Sequence, residues 1–167
     1  MTLRQSDLRS AATRQTTQIA RSASEATRTG QQTAFLCHSH ADRELVIGTV
    51  ETLRSSGWNV YVDWADASMP AIPDATTASR IKERIVATNW FLFLATTNSM
   101  SSRWCPWEIG YADGRKPIDR ILVIPTTDGQ FTYGSEYLGL YRRIDRSTDG
   151  LLAAYSPSNA GVYLRNL

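Results

Sequence analysis

The sequence predicts an α/β domain built on a parallel sheet with helices on both faces, and three observations carry that reading. Short apolar runs recur along the chain; stretches with helical spacing of apolar residues lie between them; and the runs are continuously apolar instead of alternating. Continuous runs belong to strands covered on both faces. Strands alternating with helices at this spacing indicate βαβ crossovers and hence parallel pairing.

Taken in order, residues 1–32 hold ten Ser/Thr and few large apolar residues. Such a stretch cannot bury enough surface to offset its ordering entropy alone, so it is expected to be a flexible or weakly helical segment, with the domain spanning 33–167. Ala34-Phe35-Leu36-Cys37 is the first strand, and Val46, Val50 and Leu53 at i, i+4, i+7 mark the helix after it, closed by Gly57. Val60-Tyr61-Val62 is the second strand; a loop containing Pro70 and Pro73 leads to a helix carrying Ile81 and Ile85. Trp90 to Ala95 is the third strand and Ile121 to Ile124 the fourth, ended by Pro125. Beyond Pro125 the pattern weakens: Leu140 to Ile144 is read as an edge strand and Leu151 to Leu164 as partly helical.

Between the third and fourth strands lies Trp104-Cys105-Pro106-Trp107-Glu108. Pro106 fits a helix only in its first turn, with Ser101 or Ser102 as the N-cap, so the helix is expected to start near Ser102. Trp104 and Glu108 are then four apart on one face, where an indole can shelter a carboxylate and leave it reachable from one side.

A chain of 167 residues with 42% hydrophobic and 20% charged residues suits one globular domain. The net charge of +2 is uneven, since Arg4, Arg9, Arg14, Arg21 and Arg28 against Asp7 and Glu25 leave the remainder near −1. That balance argues against a dedicated nucleic-acid surface on the domain. Cys37 and Cys105 have no repeated spacing and read as reduced thiols of a cytoplasmic protein. No run approaches the about eighteen apolar residues of a membrane span, and the N-terminus lacks the apolar centre of a secretory signal. Its Arg-, Ser- and Thr-rich composition is that of an organellar transit peptide, against which Asp7 and Glu25 count.

Ligands of open parallel sheets bind beyond the carboxyl ends of the strands. That edge carries His38-Ser39-His40 after strand one, Asp63-Trp64-Ala65-Asp66 after strand two and Thr96 to Arg103 after strand three, with Glu108 close by. No GxGxxG or P-loop sequence occurs, so hydride-transfer and NTPase readings lose their usual support. His38, His40, Cys37 and Cys105 do not match a zinc pattern. Cys105 as a nucleophile with His38 as base is a minority alternative to a plain core thiol, and Asp63 and Asp66 have the bland alternative of capping turns.

Phe35 to Asp42, Tyr61-Val62-Asp63 with its loop to Pro70, Phe91 to Leu94, and Ser102 to Glu108 resemble, in order and spacing, the boxes of a TIR domain, over about residues 33–145. The most specific element is Trp104-x-x-x-Glu108. The resemblance implies a flavodoxin-like fold of about five parallel strands. It also implies cleavage of NAD at the nicotinamide ribosyl bond, as in bacterial anti-phage defence, with ADP-ribose, a cyclic isomer or a conjugate as product. Glu108 would be the catalytic carboxylate; His38, Ser39, His40, Trp64, Asp66 and Trp104 would contact substrate. NAD would be the substrate, with no cofactor and no metal, and the partners would be other copies of the domain and an effector responding to the nucleotide product. No membrane and no specific nucleic acid are expected. Two positions depart from the family pattern: Cys37 stands where Ser is common, and Pro70-Ala71 replaces the usual Pro-Gly. Two other functions compete, a non-catalytic TIR adaptor and a nucleoside deoxyribosyltransferase-like enzyme.

Overall fold

The computed structural model describes residues 1–14, 32–58, 60–63 and 74–167. Its centre is a sheet whose parallel part contains, in spatial order, β3 (Val60–Asp63), β2 (Gln32–Cys37), β4 (Trp90–Leu94), β5 (Ile121–Ile124) and β8 (Arg142–Arg146). The chain runs outward from β2 to β3, then returns across β2 to β4, so the winding direction reverses between β2 and β4. Five parallel strands with helices on both faces are what the family resemblance implied; their order is set by the structure.

Period-two geometry sorts the strand side chains onto two faces. Ala34, Leu36, Leu92, Leu94, Leu122 and Ile124 point to a face covered by α2 (Arg43–Ser55) through Leu45, Val46, Val50 and Leu53. Phe35, Cys37, Phe91, Phe93, Ile121 and Val123 point to the other, where α3 (Ala75–Ala87) supplies Ile81 and Ile85 and α5 (Cys105–Asp113) supplies Cys105, Ile109 and Ala112. Both faces are dry, which is why the strands read as continuous apolar runs.

The first residues differ from the sequence expectation. Within 1–14, β1 (Leu3–Arg4) pairs in parallel with β6 (Thr126–Thr127), and α1 (Gln5–Thr13) packs on α2. Leu3 and Leu8 belong to the same buried cluster as α2. Composition hid this because the docking needs few apolar side chains: α1 lies so close to α2 that a Cβ on Gly48 would sit 1.8 Å from the Leu8 carbonyl oxygen. Backbone approach at a glycine replaces side-chain volume. Residues 15–31 of that expected segment lie outside the described residues.

The C-terminal part also differs. Leu140 ends a 3-10 turn (Glu136–Leu140), and β8 is flanked on both sides. β9 (Leu152–Tyr155) and β10 (Gly161–Tyr163) then extend the sheet antiparallel, where partial helix was expected. Leu152-Ala153-Ala154 favours helix by propensity, but the turn before it decides the outcome: Gly150 adopts φ +82°, its N–H donates to the Ser147 carbonyl, and the chain folds back onto β8.

Gly48→Ala is expected to destabilise the protein by about 1–3 kcal/mol in urea unfolding, because overpacking of α1 outweighs the gain of about 1 kcal/mol in helix propensity. A stabilised variant would mean that α1 is not packed there in solution.

Candidate active site

The winding reverses between β2 and β4, and ligands of such sheets bind beyond the carboxyl ends of the strands at that point. Two loops meet there and are fastened by Asp42, which is buried. One carboxylate oxygen accepts from the Thr96 hydroxyl at 2.6 Å and the other from the Asn98 amide at 2.7 Å. Thr96 also caps the short helix α4 (Thr97–Ser101), accepting from the Ser99 N–H at 3.0 Å while the Ser99 hydroxyl accepts from the Thr96 N–H. The loop after β2 and the loop after β4 are thus one hydrogen-bonded unit.

Glu108 stands in the first turn of α5, which begins at Cys105, three residues later than expected. Ser102 still serves that terminus: its hydroxyl accepts from the N–H groups of Trp104 and Cys105 at 3.1 and 3.3 Å. The delay arises because Thr97–Ser101 forms its own helix, and Ser102 ends one element and opens the next. The Glu108 N–H donates to the Trp104 carbonyl at 2.8 Å, so Trp104 and Glu108 are one turn apart as predicted.

The Glu108 side chain is only 7% exposed, more deeply set than the half-sheltered group expected. Burial pushes its carboxyl up to about 7, and the Cys37 thiol, donating to it, pulls in the opposite direction. A buried carboxyl with a value of about 7 at the sheet edge is suited to exchange a proton or to answer a developing positive charge. Cys105 beside it is a buried thiol. Among the described residues, no group of three or more His, Cys, Asp or Glu side chains is arranged to hold a metal ion.

The other predicted residues fall into three groups. His38 lies beside this unit, its Nδ1–H donating to the Leu36 carbonyl at 2.8 Å, and burial lowers its affinity for a proton, so the ring is neutral at pH 7 with Nε2 as an acceptor. Ser39 accepts from the Ala41 N–H at 3.4 Å, which caps the turn that delivers Asp42, and His40 is exposed. Trp104 is half-buried and meets Trp107 edge-on at 5.5 Å, and Trp107 stacks on Tyr111. Trp64 and Asp66 lie outside the described residues.

A family model for the TIR domain matches residues 34–149. The chain belongs to the TIR domain family. It is also 34% identical over 117 residues to a protein of Bacillus cereus (strain MSX-D12) named "Probable 3' cyclic ADP-D-ribose synthase ThsB'", a match covering 68% of this chain and 61% of that relative. The TIR match ends before β9, so the antiparallel hairpin and residues 1–14 are additions to the matched core.

Sequence reasoning missed two contributors to this TIR site. Asp42 carried no signal beyond its place in the first box, because its partners Thr96 and Asn98 are more than fifty residues away. Tyr137 is 41% exposed, and its hydroxyl is pushed up by burial and then by the neighbouring Cys37 and Cys105 thiols. It is delivered by a turn in which Gly134 has φ +104° and Glu136 φ +59°; the latter costs about 1 kcal/mol for a non-glycine residue. The Gly134 to Glu136 stretch was the readable trace.

The Glu108 carboxyl sets a pH dependence of stability. Its folded value lies above the ordinary 4.5, so its contribution favours the fold below about pH 4.5 and is lost as the pH rises through about 7. Glu108→Gln is therefore expected to be more stable than wild type above pH 7, by up to about 3 kcal/mol at about 1.4 kcal/mol per unit. The gap should close toward pH 4.5 in thermal unfolding. A gap independent of pH would place the carboxyl in solvent.

Proposed function

We propose that this TIR domain cleaves the nicotinamide ribosyl bond of NAD with Glu108 as its catalytic carboxylate. The observation that carries the reading is a buried carboxyl with a value near 7 at the carboxyl edge of the sheet, in the Trp104-x-x-x-Glu108 position of the family. Likeness to the Bacillus cereus protein supports a cyclic product, because that relative is named for making 3' cyclic ADP-D-ribose.

The chemistry follows from the charges. The bound pyridinium is already cationic, so when the C–N bond breaks its electron pair returns to the ring nitrogen and nicotinamide leaves neutral, without the general acid an ordinary glycoside needs. Positive charge appears on the ribose, where ionised Glu108 stabilises it more than it stabilises the ground state. Low local polarity strengthens that attraction. A hydroxyl of the same molecule, or water, then bonds to the ribosyl carbon and gives up its proton, for which the Glu108 carboxylate is a matched base. Wherever water is kept from the ribosyl cation, the intramolecular hydroxyl is favoured. His38, neutral with Nε2 free to accept, and Trp107, with its broad apolar ring, are suited to hold a ribose hydroxyl and a base respectively. Self-association and an effector that reads the product belong to the same reading.

Purified protein incubated with NAD and resolved by chromatography with mass spectrometry should release nicotinamide and a cyclic ADP-ribose isomer. Glu108→Gln should lower kcat at least about a hundredfold, the scale of losing one transition-state charge partner. Equal nicotinamide release by both proteins would remove Glu108 from the chemistry.

Because ionised Glu108 is the working form, kcat/KM should rise with pH to a midpoint of about 7 in the free enzyme. The kcat profile should have a lower midpoint, since the bound pyridinium favours the carboxylate. Profiles falling over this range would reverse the assigned protonation state.

A further inference from the structure

We propose that Asn98 is a specificity-determining residue: its side-chain oxygen, fixed by Asp42 at the point where the winding of the sheet reverses, accepts a hydrogen bond from the carboxamide N–H of the nicotinamide group. The inference rests on the NAD-cleaving reading for its substrate, while the placement of Asn98 stands on hydrogen bonds within the protein.

Asp42 is buried in the turn after β2, and Asn98 is exposed in α4, after β4. The 2.7 Å bond from Asn98 Nδ2 to Asp42 Oδ1 joins the two loops. Because β2 and β4 are neighbours from which the chain winds in opposite directions, that bond lies where ligands of such sheets bind.

Which end of the amide faces Asp42 follows from its chemistry. A carboxylate only accepts, so the nitrogen of Asn98 faces it and the oxygen faces away. The Thr96 hydroxyl occupies the other oxygen of Asp42 at 2.6 Å, so the carboxylate is held at both ends. Among the described residues no donor reaches the Asn98 Oδ1, which makes it a fixed acceptor open to solvent. Donation to a carboxylate also polarises the amide and strengthens its oxygen as an acceptor. An ordinary surface amide loses rotamer freedom on binding a ligand; this one has already lost it to Asp42.

The scissile bond decides which ligand group meets that oxygen. Ser102, whose N–H donates to the Ser99 carbonyl at 3.2 Å, connects α4 directly to the helix of Glu108. With the ribosyl carbon at Glu108, the donors beside the breaking bond are the ribose hydroxyls and the carboxamide nitrogen. The hydroxyls are matched by Glu108 and by the acceptor Nε2 of His38, which leaves the carboxamide for Asn98. A pyridine with a carboxylate in that place would set its negative charge against the amide oxygen and the Asp42 carboxylate behind it, and a ketone would have no N–H to offer.

The test titrates nicotinamide and 3-acetylpyridine by NMR into wild type, Asn98→Ala and Asn98→His. The ketone keeps the ring and the carbonyl and has a methyl group where the amide nitrogen stands. In Asn98→His the ring Nδ1–H takes over the bond to Asp42 and a C–H replaces the oxygen, so the loops stay tied; melting temperatures check this. Wild type should bind nicotinamide about fivefold or more tightly than the ketone, the scale of one hydrogen bond, and both variants should bind the two alike. The ratio of kcat/KM for NAD to that for its 3-acetylpyridine analogue should fall by a similar factor in each variant, since comparison between proteins cancels the different leaving tendencies of the two rings. A purely structural Asn98 would weaken both ligands together and leave every ratio in place. Unchanged ratios, or equal binding of the two pyridines by wild type, would overturn the proposal. Discrimination lost in the variants, with no turnover of NAD by any protein, would uphold Asn98 and overturn the NAD-cleaving reading instead.

Discussion

The proposed chemistry depends on one unfavourable act, the enclosure of a carboxyl group where the first turn of α5 meets the end of β2. An acid in water is ionised at neutral pH and surrounded by solvent dipoles. Here Glu108 is stripped of most of that solvent. The helix N-terminus favours the anion, but desolvation wins, and the group rests near its balance point. Its charge is thus available to a cation that forms beside it.

The sheet makes this enclosure affordable. Strands covered on both faces by α2, α3 and α5 form a buried interior, and the winding reverses between β2 and β4. Asp42 fastens the two loops that follow these strands, with both carboxylate oxygens occupied by Thr96 and Asn98. Two acids a few residues from the same strand end therefore have opposite fates. Asp42 is hydrogen-bonded through both oxygens and acts as a tie; Glu108, buried with its carboxyl pushed up to about 7, is the group that acts on substrate in the proposed reaction.

Charge and aromatic placement around α5 extend the same logic outward. Trp104, Trp107 and Tyr111 follow one another along the helix, and Lys82 of α3 lies over the Trp107 and Tyr111 rings at 5.8 and 5.2 Å. These partly exposed rings tie α3 to α5 through cation–π contact.

Local chemistry alone was enough to read the central strands, the α2, α3 and α5 helices and the one-turn spacing of Trp104 and Glu108, whereas the N-cap expected at Ser102 falls on Trp104. Apolar runs, proline position and helical period are properties of neighbouring residues, and they survive in any fold that buries them. What required the tertiary structure was whatever depends on residues distant in sequence. The docking of α1 rests on a backbone approach at Gly48, and the β9–β10 hairpin on pairing that overrides helical propensity. The tie from Asp42 to Thr96 and Asn98 joins groups more than fifty residues apart, as does the bond from the Cys37 thiol to the Cys105 carbonyl. Sequence identified which carboxylate to watch; only packing decided how little water it keeps, and desolvation is a property of the whole surrounding volume, not of the chain beside it.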